Sequence, residues 1–296
     1  MGVAIVACAA NENLYINEWI SYHLRLGFDH IYLYCNDSEP DLLYKTVLPW
    51  IDLGCLTFHH HGVPGDQHGM YKHYLHVYRM RDEWVTFLDV DEFYAIRETY
   101  YIKDFLESRS EYDCIYFNWL MFGDSNYEEN ASGLVLDNYT RRAREINTTF
   151  KVIVKTQKLD VPFMMGHPSP YQHGIGRDEW RFDPFGGDKS FLGVDVLGNP
   201  ISNILESQED YIRKNSEKII WTASVCHFYL KSRDHYKKRS ERGKVLGPGW
   251  ELEWTKKLES GEYIEEMKMV NEVHDTWLQD RNSMLSMFGN KFVNVK

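Results

Sequence analysis

Residues 3–35 read VAIVACAANENLYINEWISYHLRLGFDHIYLYC, and they predict one strand–helix–strand unit. The continuous apolar run VAIVAC is typical of a strand that is buried on both faces, and the polar ANEN that follows ends it. Apolar residues between Leu14 and Leu26 recur at helical spacing, and Gly27 supplies a C-terminal stop. The segment HIYLY then predicts a second strand.

The same alternation continues along the first ninety residues or so. We predict a helix over residues 42–50, a strand at LTFHH, a helix from about Gln67 to Met80 and a strand at WVTFLDV. Repeated strand–helix–strand units imply right-handed crossovers, so we expect an α/β fold with a mostly parallel central sheet flanked by helices. Helical patterns return in residues 244–296 and predict a helical C-terminal extension.

Composition restricts the class of partner. The chain has 296 residues, of which 43% are hydrophobic, and its 44 acidic residues exceed its 33 basic residues to give a net charge of −11. Nucleic acid is therefore a poor partner. An anionic ligand such as a nucleotide needs a local positive charge, and a bound divalent cation is the usual source. The five cysteines show no CxxC spacing and predict buried thiols rather than disulfides.

No apolar run reaches the roughly 18 residues that a membrane span requires, and the N-terminus shows no basic leader. From these two features we expect a soluble, cytoplasmic protein of a bacterium or of a virus-infected cell, without a transmembrane segment. Peripheral association with a membrane and a luminal location stay open as alternatives.

Polar residues follow each of the four predicted strands. In a parallel sheet, the ligand crevice lies outside the carboxyl ends of the strands. No GxGxxG motif follows the first strand and no GxxxxGK[ST] motif occurs, which argues against a dinucleotide site and a P-loop. We call the carboxyl edge of the predicted sheet the rim. Its polar residues predict a nucleotide-sized site that is neither a dinucleotide site nor a P-loop. Its polar clusters are Asn11 and Glu12; Asn36, Asp37 and Ser38; Gly65, Asp66 and Gln67; and Asp89 with Asp91.

Asp89 and Asp91 stand at the end of the apolar run in WVTFLDVDEF. Carboxylates two residues apart on a strand point to the same face, and a bulge or turn at the strand end can aim both at one hard cation. A solvated strand end is the simpler interpretation of such a triplet, but an unpaired carboxylate at the end of a buried strand is costly. We therefore predict that these aspartates bind Mn²⁺ or Mg²⁺, which would neutralise a departing diphosphate as a Lewis acid.

Five motifs occur in an order that resembles the nucleotide-sugar-dependent glycosyltransferases of family 92 and the related family 2 branch, over roughly residues 3–243. The resemblance implies the fold called GT-A. It also implies a metal-dependent, inverting transfer of a hexosyl or pentosyl group from a nucleoside diphosphate sugar, with a UDP-sugar expected, to a glycan acceptor. One position departs from the family: its lysine before Asn-Glu is Ala10 here. The motifs are ANENLYINEWISYHLRLGFDHIYLYCNDS at residues 10–38, DQHGMYKHYL at 66–75, WVTFLDVDEF at 84–93, FNWLMFG at 117–123 and HFYLKSRDHYKKRSERGK at 227–244.

The resemblance also implies roles for single residues. A neutral imidazole suits Mn²⁺, which agrees with a metal role for the histidine of HFYLKS, and Lys231 could place its ammonium near a phosphate. Asp66 and Gln67 are added as substrate-binding candidates because of their place on the rim. The implied roles are Asn11, Glu12 and Asp37 for the nucleoside, Asp89 and Asp91 for the metal and diphosphate, His227 for the metal or diphosphate, and Trp119 near the transferred sugar.

Inversion needs a carboxylate that deprotonates the acceptor hydroxyl on the face opposite the leaving group. Asp188, which stands beside two glycines, is the first candidate for this base and Asp124 is the second. Residues 164–190 lack periodicity and predict an acceptor lid. The further candidates for the base are Asp178, Glu179 and Asp183.

We expect a GT-A domain over residues 1–243, with a donor half at about 1–122 and an acceptor half at about 123–243, and then the extension at 244–296. Two other functions stay open. A carbohydrate-binding protein without nucleotide would leave the polar rim unexplained, and a metal-dependent phosphoesterase would need a larger His and Asp cluster.

Overall fold

The computed structural model of the protein describes residues 1–63, 65–159, 192–201, 204, 208–242 and 250–288. The strands in this part are β1 (Val3–Ala9), β2 (His30–Cys35), β3 (Leu56–His60), β4 (Trp84–Phe87), β5 (Glu92–Ile96), β6 (Cys114–Met121), β7 (Arg141–Arg142), β8 (Phe150–Lys155), β9 (Gly193–Asp195), β10 (Ala223–His227) and β11 (Val273–His274). The helices are α1 (Ile16–Leu26), α2 (Asp41–Asp52), α3 (Gln67–Val77), α4 (Ile102–Glu107), α5 (Val135–Asn138), α6 (Gln208–Thr222), α7 (Arg233–Arg242), α8 (Trp250–Ser260), α9 (Glu262–Val270) and α10 (Trp277–Phe288).

Within the described residues, nine strands form one sheet in the order β3-β2-β1-β4-β8-β6-β10-β5, with β9 beside β6. The four strands β1 to β4 run parallel to one another, as the strand–helix alternation predicts. Both β9 and β10 are parallel to β6, whereas β8 runs antiparallel between β4 and β6 and β5 runs antiparallel to β10. The prediction of an α/β fold with a mostly parallel sheet is confirmed.

β1 is buried on both faces because successive side chains of a strand alternate between them. Ile5 and Ala7 join the apolar cluster that includes Trp19 of α1, whereas Val6 joins the opposite cluster with Tyr71 of α3. Helices therefore cover the sheet on both faces, and the carboxyl ends of the parallel strands form an edge between the two layers. The five cysteines are buried and free, as predicted.

The predicted strand WVTFLDV is shorter in the structure. β4 ends at Phe87 and β5 begins at Glu92, so Asp89 and Asp91 lie in the turn between them. The backbone N–H of Asp89 donates to Glu92 Oε2 over 2.9 Å, and the backbone N–H of Glu92 donates to the Asp89 carbonyl over 3.1 Å. These two hydrogen bonds close a turn between residues 89 and 92. A longer β4 would instead continue its pairing with the neighbouring strands there. The predicted helix from Gln67 likewise ends earlier, at Val77.

The helices of the C-terminal segment pack on the sheet domain. Leu278 and Leu285 of α10 belong to the large apolar cluster around α1, and Arg25 of α1 donates to Asn282 over 2.7 Å. β11 pairs with β7, which adds a second attachment. The boundary near residue 243 stays a prediction, since residues 243–249 lie outside the described ones. No helix in the described ranges is long and apolar enough to cross a membrane.

Candidate active site

The loops after β1 and β2 are tied together at the carboxyl edge. The backbone N–H of Asn11 donates to Asp37 Oδ1 over 2.6 Å, and that of Asn36 donates to the Ala9 carbonyl over 2.9 Å. Asn11 has φ of 57°, in the left-handed region that Asn tolerates better than most residues. Its side chain is exposed, Glu12 is half-buried and Asp37 is buried. The structure thus brings the three predicted nucleoside residues together, and one oxygen of Asp37 serves the loop itself.

Asp66 and Gln67 begin α3 and have different surroundings. Asp66 is the N-cap of the helix, where it accepts from the Gly69 N–H over 2.9 Å and lies 2.8 Å from His61 Nε2. The hydrogen bond from His61 lowers the pKa of Asp66, and the Gly69 N–H adds to this. Gln67 instead donates to Asp89 Oδ1 over 3.2 Å, which connects α3 to the turn after β4.

Asp89 is held by a buried lysine. Lys151 Nζ lies 2.9 Å from Asp89 Oδ2 and 3.1 Å from Glu92 Oε2, and the side chains of Lys151 and Glu92 have no exposed surface. Asp89 keeps 28% of its side chain exposed. We call the segment of residues 88–92, which joins β4 to β5, the DVD turn. One ammonium group thus serves two carboxylates of this turn.

Burial and the neighbouring charges shift the pKa values of Glu92 and Lys151 in opposite directions. Burial raises the pKa of Glu92 well above its ordinary value, even though Lys151 acts to lower it. Burial alone would lower the pKa of Lys151, but the carboxylates of Asp89 and Glu92 raise it above its ordinary value. The two neighbouring acceptors thus favour the charged form of Lys151 more than burial disfavours it.

Asp91, His227 and Trp119 meet beside this cluster. Asp91 Oδ1 lies 3.4 Å from His227 Nε2, and the backbone N–H of Phe228 donates to the Asp91 carbonyl over 2.8 Å. The rings of Trp119 and His227 are 4.3 Å apart, and Lys151 Nζ lies 5.9 Å from the centre of the Trp119 ring. The pairing of β10 with both β5 and β6 causes this meeting, because His227 ends β10. Three residues predicted from three separate motifs thus lie together.

The pair of Asp91 and His227 fits two positions of a divalent-ion site. Adjacent ligands of an octahedral ion with bonds of about 2.1 Å are about 3 Å apart, close to the 3.4 Å between Asp91 Oδ1 and His227 Nε2. Carboxylate oxygen with imidazole nitrogen also suits Mn²⁺. In the part of the chain that the structure describes, no group of three or more His, Cys, Asp or Glu residues is arranged to hold a metal. The predicted set of Asp89, Asp91 and His227 is therefore not arranged as a three-residue metal site in the described structure.

Lys231 lies deeper in the protein, near α1. Its side chain is buried, and Nζ is 5.4 Å from the centre of the Tyr15 ring. It is also close enough to Glu18 to favour the charged form of that carboxylate. Lys231 follows His227 by four residues in the sequence, and in the structure its side chain lies near Tyr15 and Glu18 at the start of α1. Its predicted contact with a phosphate stays a prediction.

Asp124 lies in the turn after β6 and contacts the C-terminal segment. Its carboxylate accepts from Tyr263 Oη over 2.8 Å, from Asn271 Nδ2 over 2.7 Å and from the Asn126 N–H over 2.8 Å. These bonds favour a structural role for Asp124. The other candidate base, Asp188, lies outside the described residues, as do the further candidates Asp178, Glu179 and Asp183 and the lid predicted for residues 164–190.

Sequence reasoning missed Lys151, Glu92 and Glu18. One signal for Lys151 was available: it is a single cation within the otherwise apolar FKVIV of β8, and a lysine inside a buried strand requires partners. Glu92 follows Asp91 directly. The local sequence pattern does not show whether its side chain is buried or exposed.

Three comparisons with known proteins bear on this site. The sequence model described as Glycosyltransferase family 92 matches residues 3–171. Two Arabidopsis thaliana proteins named Galactan beta-1,4-galactosyltransferase, GALS3 and GALS2, are each 30% identical to the chain over 106 residues, which is 33% of this chain. The matches span 21% of GALS3 and 20% of GALS2, so the chain covers about a fifth of the length of these curated relatives.

Solved structures give weaker likenesses. Residues 1–349 of TarS from S. aureus are 17% identical with a TM-score of 0.35, covering 54% of this chain and 48% of that chain. HddC from Yersinia pseudotuberculosis is 12% identical with a TM-score of 0.38, covering 81% of this chain and 99% of that chain. Likenesses at this level carry no argument about the reaction.

Proposed function

This chain belongs to glycosyltransferase family 92 and is a glycosyltransferase, and we propose that it transfers a sugar from a UDP-sugar to a glycan hydroxyl with inversion, assisted by Mn²⁺ or Mg²⁺. One observation carries the finer proposal. The DVD turn stands at the carboxyl edge of the parallel strands with a buried cation, a histidine and a tryptophan against it. The mostly parallel sheet agrees with the GT-A fold that the motif order implies.

The nucleoside would bind at the joined loops after β1 and β2. Asn11 is exposed there, Glu12 is half-buried beside it, and Asp37 fixes the loop through the Asn11 N–H. Hydrogen-bond acceptors at this place suit the hydroxyl and N–H donors of a ribose and a base. Ala10 offers no ammonium for the diphosphate, so positive charge must come from elsewhere in the site.

The diphosphate would bind against the DVD turn. Asp91 and His227 are the residues that would hold a divalent ion, and Asp89 is oriented by Lys151 and Gln67. When bound, such an ion supplies positive charge to the departing diphosphate. The residues of the turn are buried or half-buried, so charge interactions within it are stronger than in water.

The transferred sugar would lie near Trp119, whose indole offers an apolar face to sugar C–H groups. The His227 ring packs against that indole in a tilted arrangement, with 4.3 Å between the ring centres. Inversion then requires a carboxylate on the acceptor side of the sugar. Asp188 remains the first candidate for it and Asp124 the second.

UDP-galactose is the first donor to test, because two relatives of the chain are named galactosyltransferases. The experiment incubates the protein with Mn²⁺ and a panel of UDP-sugars and detects released UDP, first without acceptor and then with β-galactan oligosaccharides. We expect release of UDP with one donor, and a product longer by one sugar with anomeric configuration opposite to that of the donor. Oligosaccharide binding without turnover of any nucleotide sugar would contradict the proposal and favour a carbohydrate-binding protein.

A further inference from the structure

Lys151 is a buried cation in the middle of the sheet. It lies on β8, between β4 and β6, and pairs in register with Phe117. An ammonium group removed from water is costly even when it is paired, and apolar residues often replace a buried ion pair without loss of stability. Packing of the core therefore does not require a lysine at position 151. The reason for a lysine there has to be sought in the contacts that its ammonium group makes.

The contacts of Lys151 converge on Asp89. The ammonium reaches Asp89 Oδ2 over 2.9 Å, and it reaches Glu92 Oε2 over 3.1 Å. The same Glu92 oxygen accepts the backbone N–H of Asp89 over 2.9 Å. Lys151 thus holds the aspartate twice, directly through its carboxylate and indirectly through its backbone.

The second oxygen of Asp89 is also held from inside the protein, since Gln67 donates to Oδ1 over 3.2 Å. The exposed 28% of the Asp89 side chain contrasts with the fully buried Lys151. Residues of the protein interior therefore hold the Asp89 carboxylate, while part of its side chain stays accessible to solvent.

We infer that Lys151 is the positioning residue of the DVD turn, which fixes Asp89, and with it the backbone that carries Asp91, in the orientation that binds the diphosphate of the donor. The inference rests on the proposed function and assigns Lys151 no contact with the donor. A side chain that is already oriented loses less freedom on binding, and donor affinity rises accordingly.

The test needs a variant that removes the ammonium without leaving a buried charge. Lys151→Met alone would leave Glu92 without its cation, and breaking a buried pair in this way is strongly destabilising. K151M/E92Q avoids this, because the neutral amide oxygen still accepts the Asp89 N–H. The matched control is Lys155→Met on the same strand, where the lysine donates to the Ser110 carbonyl over 2.7 Å.

The measurements are the thermal midpoint and the calorimetric affinity for UDP in the presence of Mn²⁺. We expect K155M to bind as the wild-type protein does. K151M/E92Q should keep its midpoint within about 5 °C and lose affinity at least about tenfold, because Asp89 Oδ2 then lacks the ammonium group that orients it. Wild-type affinity in K151M/E92Q would overturn the inference.

A double-mutant cycle separates positioning from a general structural effect. If Lys151 acts through Asp89, then Asp89→Asn added to K151M/E92Q should weaken binding no further than about twofold beyond D89N alone. Losses that multiply would mean that Lys151 acts elsewhere and would overturn the inference.

If K151M/E92Q does not fold, Lys151→Arg takes its place, since it keeps the charge but moves the donor groups. We expect a near wild-type midpoint with affinity about tenfold lower, and unchanged affinity would count against the inference. Absence of UDP binding by the wild-type protein itself would overturn both the proposed function and the inference that rests on it.

Discussion

Asp91 and His227 approach each other at the edge of the sheet, with 3.4 Å between Oδ1 and Nε2. In Asp91→Asn the side chain keeps its size but loses its charge, and an amide oxygen is a weaker ligand for a divalent ion. We expect D91N to fold, because the Asp91 carbonyl still accepts the Phe228 N–H, and to lose sugar transfer on the order of 100-fold or more. Steady-state release of UDP measures this.

Asp52→Asn is the control for that variant, because Asp52 is exposed at the end of α2. It should turn over as the wild-type protein does. Near wild-type activity in D91N would show that the Asp91 carboxylate is not needed for transfer.

Glu18 is a second buried carboxylate, and it titrates in an accessible range. Its oxygens accept the N–H groups of Val135 and Leu136 over 2.7 and 2.9 Å. Burial raises its pKa from the ordinary 4.5 to about 7, although these bonds and Lys231 act to lower it. The native protein therefore binds more protons than the unfolded chain between these two values. The stabilising contribution of Glu18 is complete below the unfolded pKa and is lost as pH rises through the folded pKa.

Glu18→Gln removes this titration. The free energy of unfolding of the wild-type protein relative to E18Q should fall by about 2 to 3 kcal/mol between pH 5 and pH 8. Denaturant unfolding of both proteins at the two pH values measures the change. A difference that stays constant across this range would show that the Glu18 carboxylate is not perturbed.

Among the elements, the turn after β6 and helix α9 form the contact that bears on the candidate base. Tyr263 of α9 donates to Asp124 Oδ2 over 2.8 Å, and Asn271, which follows α9, donates to Oδ1 over 2.7 Å. This geometry attaches the C-terminal helices to the sheet domain through a buried acceptor. Tyr263→Phe should therefore lower the free energy of unfolding by about 1 to 3 kcal/mol, because it removes one donor from a buried carboxylate.

Asp124→Asn distinguishes the two roles of that aspartate. A structural role predicts lower stability with kcat retained within a few-fold, measured by denaturant unfolding and by UDP release. Unchanged stability with turnover abolished would instead identify Asp124 as the base.

Elements with strong local patterns could be predicted from the sequence. β1, α1 and β2 follow directly from an apolar run, a helical stripe and the stop at Gly27, whose φ of 107° only glycine adopts readily. The end of β4 could not be predicted in this way. A side-chain bond from the Asp89 N–H to Glu92 ends it, and local apolarity does not encode that bond.

Lys151 shows why part of the site escapes prediction. It is 62 residues from Asp89 in the sequence, and it reaches the DVD turn because β8 enters the sheet antiparallel between β4 and β6. No local periodicity determines that placement. Asp89 and Asp91 were predicted as metal residues from their place at the end of an apolar strand, whereas His227 was added because the order of motifs resembles a family; whether they bind a metal stays a prediction.

At the scale of the whole molecule, the net charge of −11 opposes an anionic donor. Lys151, beside the DVD turn, is already paired with Asp89 and Glu92, so the positive charge for a diphosphate has to come from another source such as a bound divalent ion. The sheet also joins the two halves of the chain there, since β5 and β10 pair with Glu92 opposite His227. A donor site made from both halves agrees with one domain rather than two independent ones.

Calorimetric titration of UDP into the wild-type protein, once with Mn²⁺ and once with EDTA, measures whether the nucleotide diphosphate and a divalent ion bind together at the DVD turn. We expect UDP to bind at least about tenfold more tightly with Mn²⁺, because the ion offsets the charge of the diphosphate and of the aspartates. Equal affinity in EDTA, or no binding of UDP under either condition, would contradict the account.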